Sequence, residues 1–439
     1  MDEALDEVIG WLLAEDPLRA DGVEGRARLL FLDSVGCLIA GLAKPEVRAL
    51  GETLARLDGG KVRLPSLPTP LSTTAAAYLA GLATCWDEAC EGLPRAHGRP
   101  GLHSFAAALP LALAERRQLG AALSALVSGF EVAGRLGEVL RIPPGMHVDG
   151  TWGTFGAVAA AARLLGLTPD TTGAAIRGAA CHLPWSLYLP ISHGATVRNA
   201  YVGEAAARGI RQAGAAAAGI TAPAGAIESF DRLALGGDPA AKRLAPPGQW
   251  LIAEGYLKPF AGVRHVHYGV QAALDWRRSN GAAEPGGIRA LELAVYPEAL
   301  TYCGNRAPTT PIQAQFSLSY GLAWALLQGD LGPDAYDAAA LADRRVRELE
   351  AMVSLVEDAE LGRQGGRAAR LTVTTAAGSR ALLVDSLPGD PDRPLTAAEA
   401  AAKFRRFTTP LIGSQRSDDI ATAILTGPLS ADLGDLLAL

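Results

Sequence analysis

The strongest constraint on this chain is a change of periodicity near residue 255. Before it, GRARLLFLDSVGCLIAGL, SFAAALPLALAERR, AALSALVSGFEVAGRLGEVL, FGAVAAAARLLGL and VGEAAARGIRQAG each repeat apolar residues at helical spacing, and Gly, Pro or Asp separates them. This half reads as all-helical. From Gly255 onward IRALELAVY, RLTVTTAAG and SRALLVDSL alternate as strands do, the last two joined by a short Ala-Gly-Ser turn. TTPIQAQFSLSYGLAWALLQGD and DAAALADRRVRELEAM, between them, read as helices. LTAAEAAAKFRRF and the tail from Ser417 return to helix. The pattern predicts a mainly α fold: a large all-helical domain over 1–255, completed by 392–439, with a smaller α+β lid domain over 256–391 inserted before the C-terminal helices.

A chain of 439 residues exceeds one ordinary core, which agrees with two domains. Its net charge of −6 and the absence of any Lys/Arg run leave no footprint for nucleic acid. LLFLDSVGCLIAGL is interrupted by Asp33 and is too short to span a bilayer, so no membrane segment is expected. The acidic start MDEALDEVIGWLLAED lacks the basic region of a secretory signal, and five scattered cysteines suit reduced thiols. A cytoplasmic location is expected.

Pro143–Leu167, PPGMHVDGTWGTFGAVAAAARLLGL, sets His147 and a Gly/Thr-rich turn directly before an apolar helix. Free N–H groups and the positive end of the helix dipole suit an anion there, with Thr151 and Thr154 as neutral donors and His147 as a proton carrier. The structural alternative is a loop whose glycines only let helices pack closely. GTWGTFG does not have GxGxxG spacing and follows no strand, and no Walker motif occurs, so no nucleotide cofactor is expected. His103 also stands near a helix start. Two imidazoles so placed are expected to share one cleft, although a lone histidine at a helix start is more often a satisfied structural one. His193 and Arg198 lie in the loop HGATVRNAYVG, and KPFAGVRHVH gathers Lys258, Arg264, His265 and His267 at the domain junction. Cations collected in apolar turns of an acidic protein point to a carboxylate ligand. Histidines with Asp87 and Glu88 form no compact ligand pattern, so no metal is expected.

LDSVGCLIAGL, the pair Asp87–Glu88, PGLHSFAAALPLALAE, GFEVAGRLG, MHVDGTWGTFGAVAAAARLLGL, HGATVRNAYVGEAA, YLKPFAGVRHVH, QAQFSLSYGLAWALLQGD and AAKFRRF together resemble the MmgE/PrpD family nearly end to end. That family holds 2-methylcitrate dehydratase, cis-aconitate decarboxylase and iminodisuccinate epimerase. The resemblance implies a large helical domain with an α+β lid, a homodimer and no cofactor. It also implies His103, His147, Lys258 and Tyr320 as catalytic residues. Arg198 departs from the lysine common in the dehydratase and decarboxylase branches. CWDEACEGLPRAHGRPGLH replaces the D-x-D-D-T-H run, with Arg99 where a related branch often has histidine. With Arg198, Arg264, His193, Thr151, Thr154 and His267 as substrate-binding residues, the resemblance implies a lyase or isomerase that abstracts a proton α to a carboxylate of a small di- or tricarboxylate. Dehydration is the first expectation; epimerisation, decarboxylation and a non-catalytic acid-binding role are the alternatives.

Overall fold

The computed structural model describes residues 1–438. Its first part is built on six helices: α1 (Val23–Leu42), α2 (Thr73–Cys85), α3 (Pro100–Ala114), α4 (Leu119–Val139), α5 (Gly153–Leu164) and α6 (Ala200–Ala217). Alanine explains their arrangement. α5, GTFGAVAAAARL, is rich in Ala and Gly, so over most of its length small side chains let neighbours come close, and it lies buried against α3, α4 and α6. Glycine lets other axes close in further. A Cβ on Gly41 would land on the Ala83 carbonyl, and one on Gly81 would sit 2.7 Å from the Gly203 amide where α2 crosses α6. α4 is long and apolar enough to cross a membrane by length and composition, but 89% of its apolar window is buried as a core helix.

The second part holds α7 (Arg264–Asn280), β1 (Ile288–Val295), α8 (Leu318–Gln328), β2 (Val353–Glu357), β3 (Ala369–Thr375) and β4 (Gly378–Val384). The sheet order is β2-β1-β3-β4. β1 runs parallel to β2, with Leu291 opposite Val353, and antiparallel to β3, with Leu293 opposite Leu371. β3 and β4 form a hairpin. α7 packs on β3, β4 and α8.

Four points of the sequence reading need correction. The first part is not all-helical, since Gly59–Val62 is a short strand bridged to Leu71. β2 lies where the sequence shows no strand pattern: only its first residue is buried, so it lacks the alternation that marks a half-buried strand. The hairpin turn is Ala376–Ala377, and Gly378, at φ +123°, already belongs to β4. The two segments expected as single helices are each broken, into Pro311–Gln315 and α8, and into Ala338–Leu341 and Arg344–Ala351.

α9 (Ala397–Ile412) and α10 (Ser414–Thr426) return to pack on α1. α9 begins with a capping box in which Thr396 and Glu399 exchange side-chain and backbone hydrogen bonds. One buried ion pair fixes its register: Lys403 Nζ donates to Asp33 Oδ1 at 2.5 Å and to the Ala89 carbonyl at 2.7 Å. Lys403→Met strands the Asp33 carboxylate in the core and should lower stability by about 3–5 kcal/mol. Urea unfolding checks this; Asp33→Asn in the same chain should recover part of the loss, and an unchanged midpoint in Lys403→Met would show that the pair does not anchor the tail.

Candidate active site

A cavity of about 510 Å³ opens between the two parts of the chain. Its helical wall includes Glu88, Arg99, Arg141, His147, Asp149 and Tyr188; its other wall includes Lys258, Arg264, His265, Tyr302 and Arg367.

The His147 loop takes its shape from backbone pairing. The His147 amide donates to the Ser186 carbonyl at 2.7 Å, and Tyr188 donates to the Gly145 carbonyl at 3.0 Å, which sets the two aromatic side chains 6.2 Å apart, nearly parallel. The chain then turns at Gly150, φ +86°, where a Cβ would meet Ser186 Oγ at 2.7 Å. Within this turn the Asp149 amide donates to His147 Nδ1 at 3.1 Å. Nδ1 is therefore an acceptor, and the neutral ring carries its hydrogen on Nε2.

Behind the loop lies a buried ion cluster. Glu88 Oε2 is 2.7 Å from Arg198 Nη2 and accepts from Arg99 Nη1 at 3.0 Å, while Lys258 Nζ donates to Glu88 Oε1 at 3.1 Å and to the Glu88 carbonyl at 2.7 Å. Arg99 also donates to Asp149, which lies 3.7 Å from Arg198. All five side chains are buried. Three cations share two carboxylates, so one positive charge is in excess. Burial pushes Glu88 up, but Arg198, Arg99 and Lys258 outweigh it and hold it well below the usual carboxylate range. Asp149 is likewise held low, chiefly by Arg99. Burial lowers Lys258, and Glu88 offsets only part of that. Cys85 Sγ accepts from Arg198 at 3.2 Å and from Arg99 at 3.3 Å, yet burial keeps it a thiol, pushed up to about 11.

Of the expected site residues, the structure brings His147, Lys258 and Arg264 to the cavity. The others need correction. His103 is fully buried beneath the turn: Nδ1 donates to the Arg99 carbonyl at 2.9 Å, and Nε2 accepts from the Gly150 amide at 3.1 Å. It supports the loop and does not flank the cavity opposite His147. Arg198 reaches the site only through Glu88 and Cys85. The Thr151 and Thr154 hydroxyls turn back to the Val148 and Gly150 carbonyls, at 2.6 and 3.1 Å. Tyr320 is buried, with its hydroxyl donating to the Ala335 carbonyl at 2.5 Å. His267 is buried against the Gly262 carbonyl, and His193 is exposed on a short helix. Because α7 is a helix, residues two apart point to different sides, and His265, not His267, lines the cavity.

In the sequence Glu88 stands out only as a possible metal ligand and as part of the family-like pair Asp87–Glu88, and no pattern singles out Asp149 or Arg367 as site residues. Asp149 follows His147 by two positions, a signal within reach; Arg367, in the Gly/Arg-rich loop GRQGGRAAR, gives none.

Fold and site define a helical protein with a small mixed sheet and a cavity backed by buried cations in excess of their counter-ions. Residues 17–235 match the MmgE/PrpD N-terminal domain and residues 260–426 the MmgE/PrpD C-terminal domain, so the chain belongs to the MmgE/PrpD family. Cis-aconitate decarboxylase-like protein oryM of Aspergillus oryzae is 26% identical over 476 residues, covering 99% of this chain and 96% of that one. A cis-aconitate decarboxylase of Aspergillus terreus is 27% identical over 355 residues, covering 73% and 71%.

Burial lowers His147 to about 4, with Asp149 opposing and Arg198 adding to the effect. An unfolded histidine titrates near ~6.5. As pH falls, the unfolded chain therefore takes up this proton first, and the stability carried by neutral His147 is full above ~6.5 and drains away from there toward about 4. The ring signal of His147 in a carbon-13-labelled sample should stay flat from pH 8 to pH 5. A midpoint near 6.5 would contradict this account of the loop.

Proposed function

We propose that this chain is a lyase acting on a small di- or tricarboxylate, with decarboxylation as its first reaction. The observation that carries the reading is the excess buried positive charge behind the cavity wall. Such a charge is costly without a partner, and a substrate carboxylate is the natural one. The names of the two Aspergillus relatives support the same class.

Decarboxylation breaks a C–C bond and leaves its electron pair on carbon, delocalised toward a remaining carboxylate. That step needs donors aimed at the developing oxyanion and then a proton for the carbon. His147 has the first capacity, because the Asp149 amide occupies Nδ1 and the neutral ring is left with an N–H to offer. Lys258 has the second, since burial makes its ammonium a stronger acid than usual. The expectation that His147 abstracts a proton loses support for the same reason: no lone pair remains on the second nitrogen of the neutral ring. Dehydration stays as the second reading, on the observation that a lysine of lowered pKa is also easier to use as a base. In either case the α+β part acts as a lid that excludes water and strengthens these interactions.

Proton NMR in D₂O with cis-aconitate, citrate, 2-methylcitrate and iminodisuccinate separates the reactions. Loss of carbon dioxide marks a decarboxylase, loss of water a dehydratase, and deuterium uptake alone an epimerase. No change in any of the four would overturn the lyase reading. Lys258→Met should abolish turnover, whereas His147→Gln, which keeps an N–H donor, should retain more activity than His147→Ala. Equal losses of ~10²-fold or more in both would restore His147 as the proton carrier. Activity is expected to survive dialysis against a strong chelator; loss reversed by a divalent ion would refute metal-free chemistry.

A further inference from the structure

The wall supplied by the second part of the chain carries two guanidinium groups whose donors are only partly used. Arg264, the first residue of α7, lies over the rings of Tyr256 and Tyr268, its Cζ 4.6 and 5.6 Å from their centroids. Its Nη2 donates to Asp390. Its Nη1 is buried without a hydrogen-bond partner among the described residues, on a side chain only 4% exposed. Arg367 precedes β3 by two residues and lines the same cavity. No hydrogen bond reaches its guanidinium among the described residues, and the nearest carboxylate, Glu298, is 3.7 Å away and itself 45% exposed.

The two arginines act on the same surroundings. His265, which accompanies them in the cavity wall, is lowered to about 3 first by burial and then by Arg367, Lys258 and Arg264. Its ring therefore adds no charge at neutral pH, and its Nδ1 is already engaged with the Tyr296 hydroxyl at 2.5 Å. What remains unused at this wall is one buried nitrogen on Arg264 and the fork of Arg367, which makes no hydrogen bond among the described residues and has only the ion pair with Glu298 at 3.7 Å. A planar fork pairs with a carboxylate through parallel N–H donors, which a hydroxyl or a methyl group cannot accept equally.

We infer that Arg264 and Arg367 form a second carboxylate subsite, across the cavity from His147, so that the ligand is held by at least two carboxylates, one on each wall. This rests on the reading of the cavity as a polycarboxylate site and deepens it. A monocarboxylate satisfies one wall only. A di- or tricarboxylate ties the helical part to the α+β part, which gives lid closure a reason to depend on the second charge.

The probes are propane-1,2,3-tricarboxylate and butyrate, with binding to the full chain followed by calorimetry and ligand-observed NMR. Arg367→Gln removes a partly exposed charge without breaking a hydrogen bond, so the fold should survive; thermal unfolding of the variant checks that. Wild type should bind the tricarboxylate more tightly than butyrate. Arg367→Gln should weaken the tricarboxylate at least tenfold and leave butyrate unchanged, the scale expected for one charge-assisted pair. Arg264→Lys, which keeps the charge and loses the fork, should move in the same direction. An Arg367→Gln variant that binds the tricarboxylate as tightly as wild type, or loses both ligands equally, would overturn the subsite. Failure of wild type to bind either ligand would instead bring down the polycarboxylate reading itself.

Discussion

The buried cluster around Glu88 is the interaction on which the rest of the site depends. Its cations arrive from three separate places: Arg99 at the start of α3, Arg198 in the turn before α6, and Lys258 at the entry to the α+β part. One carboxylate collects all three. The backbone at Glu88 adopts φ +52°, a left-handed conformation unusual for glutamate, and this lets both its carboxylate and its carbonyl face Lys258. An apolar group of similar size in place of Glu88 would leave three buried cations with Asp149 as their only carboxylate, and Lys258 with none, at a cost of several kcal/mol. The cluster therefore makes the cavity wall stiff, and its unbalanced charge gives that wall a positive potential.

Stiffness also comes from how little side chain separates the helices. Where Gly81 meets Gly203, and where Gly41 meets Ala83, backbone lies nearly against backbone, so any shift of one helix must be shared by the next. The same economy extends to the site. Gly153 at the start of α5 has no Cβ, and the His103 ring occupies the space a Cβ would need. His103 in turn receives the Gly150 amide and so fixes the turn that presents His147. A residue expected at the cavity by its place in a motif thus sits one layer back and holds the turn.

That displacement explains how much of the protein was legible in sequence. Helices such as α4 and α5 were plain because their apolar spacing persists for three turns or more. β2 was hidden because a five-residue edge strand carries almost no pattern. For the site, the motifs located the right loops but not the faces within them. His147 and His103 both stand near helix starts, yet one reaches the cavity and the other caps its support. His265 and His267 are separated by one residue, and only the helical twist decides between them. Tyr320 lies in a family-like helix whose face turns toward Ala335. Sequence distance hides Arg367 altogether, since its place in the cavity is set by the entry into β3, about a hundred residues beyond Arg264.

The chemical role of His147 shows most clearly what residue identity leaves open. Imidazole is read as a base by default because its unperturbed pKa lies near neutrality. Here a backbone amide, from a residue chosen by the turn and not by the chemistry, occupies one ring nitrogen, and burial keeps the ring uncharged. The outcome is a fixed N–H dipole beside a cation-rich wall. Such a group serves any reaction that builds charge on a substrate carboxylate, whichever bond is breaking. On the lyase reading proposed above, the difference between losing carbon dioxide and losing water lies with the group that moves the proton and with how the substrate is seated, and both are assigned there to Lys258 and to the cations of the second wall.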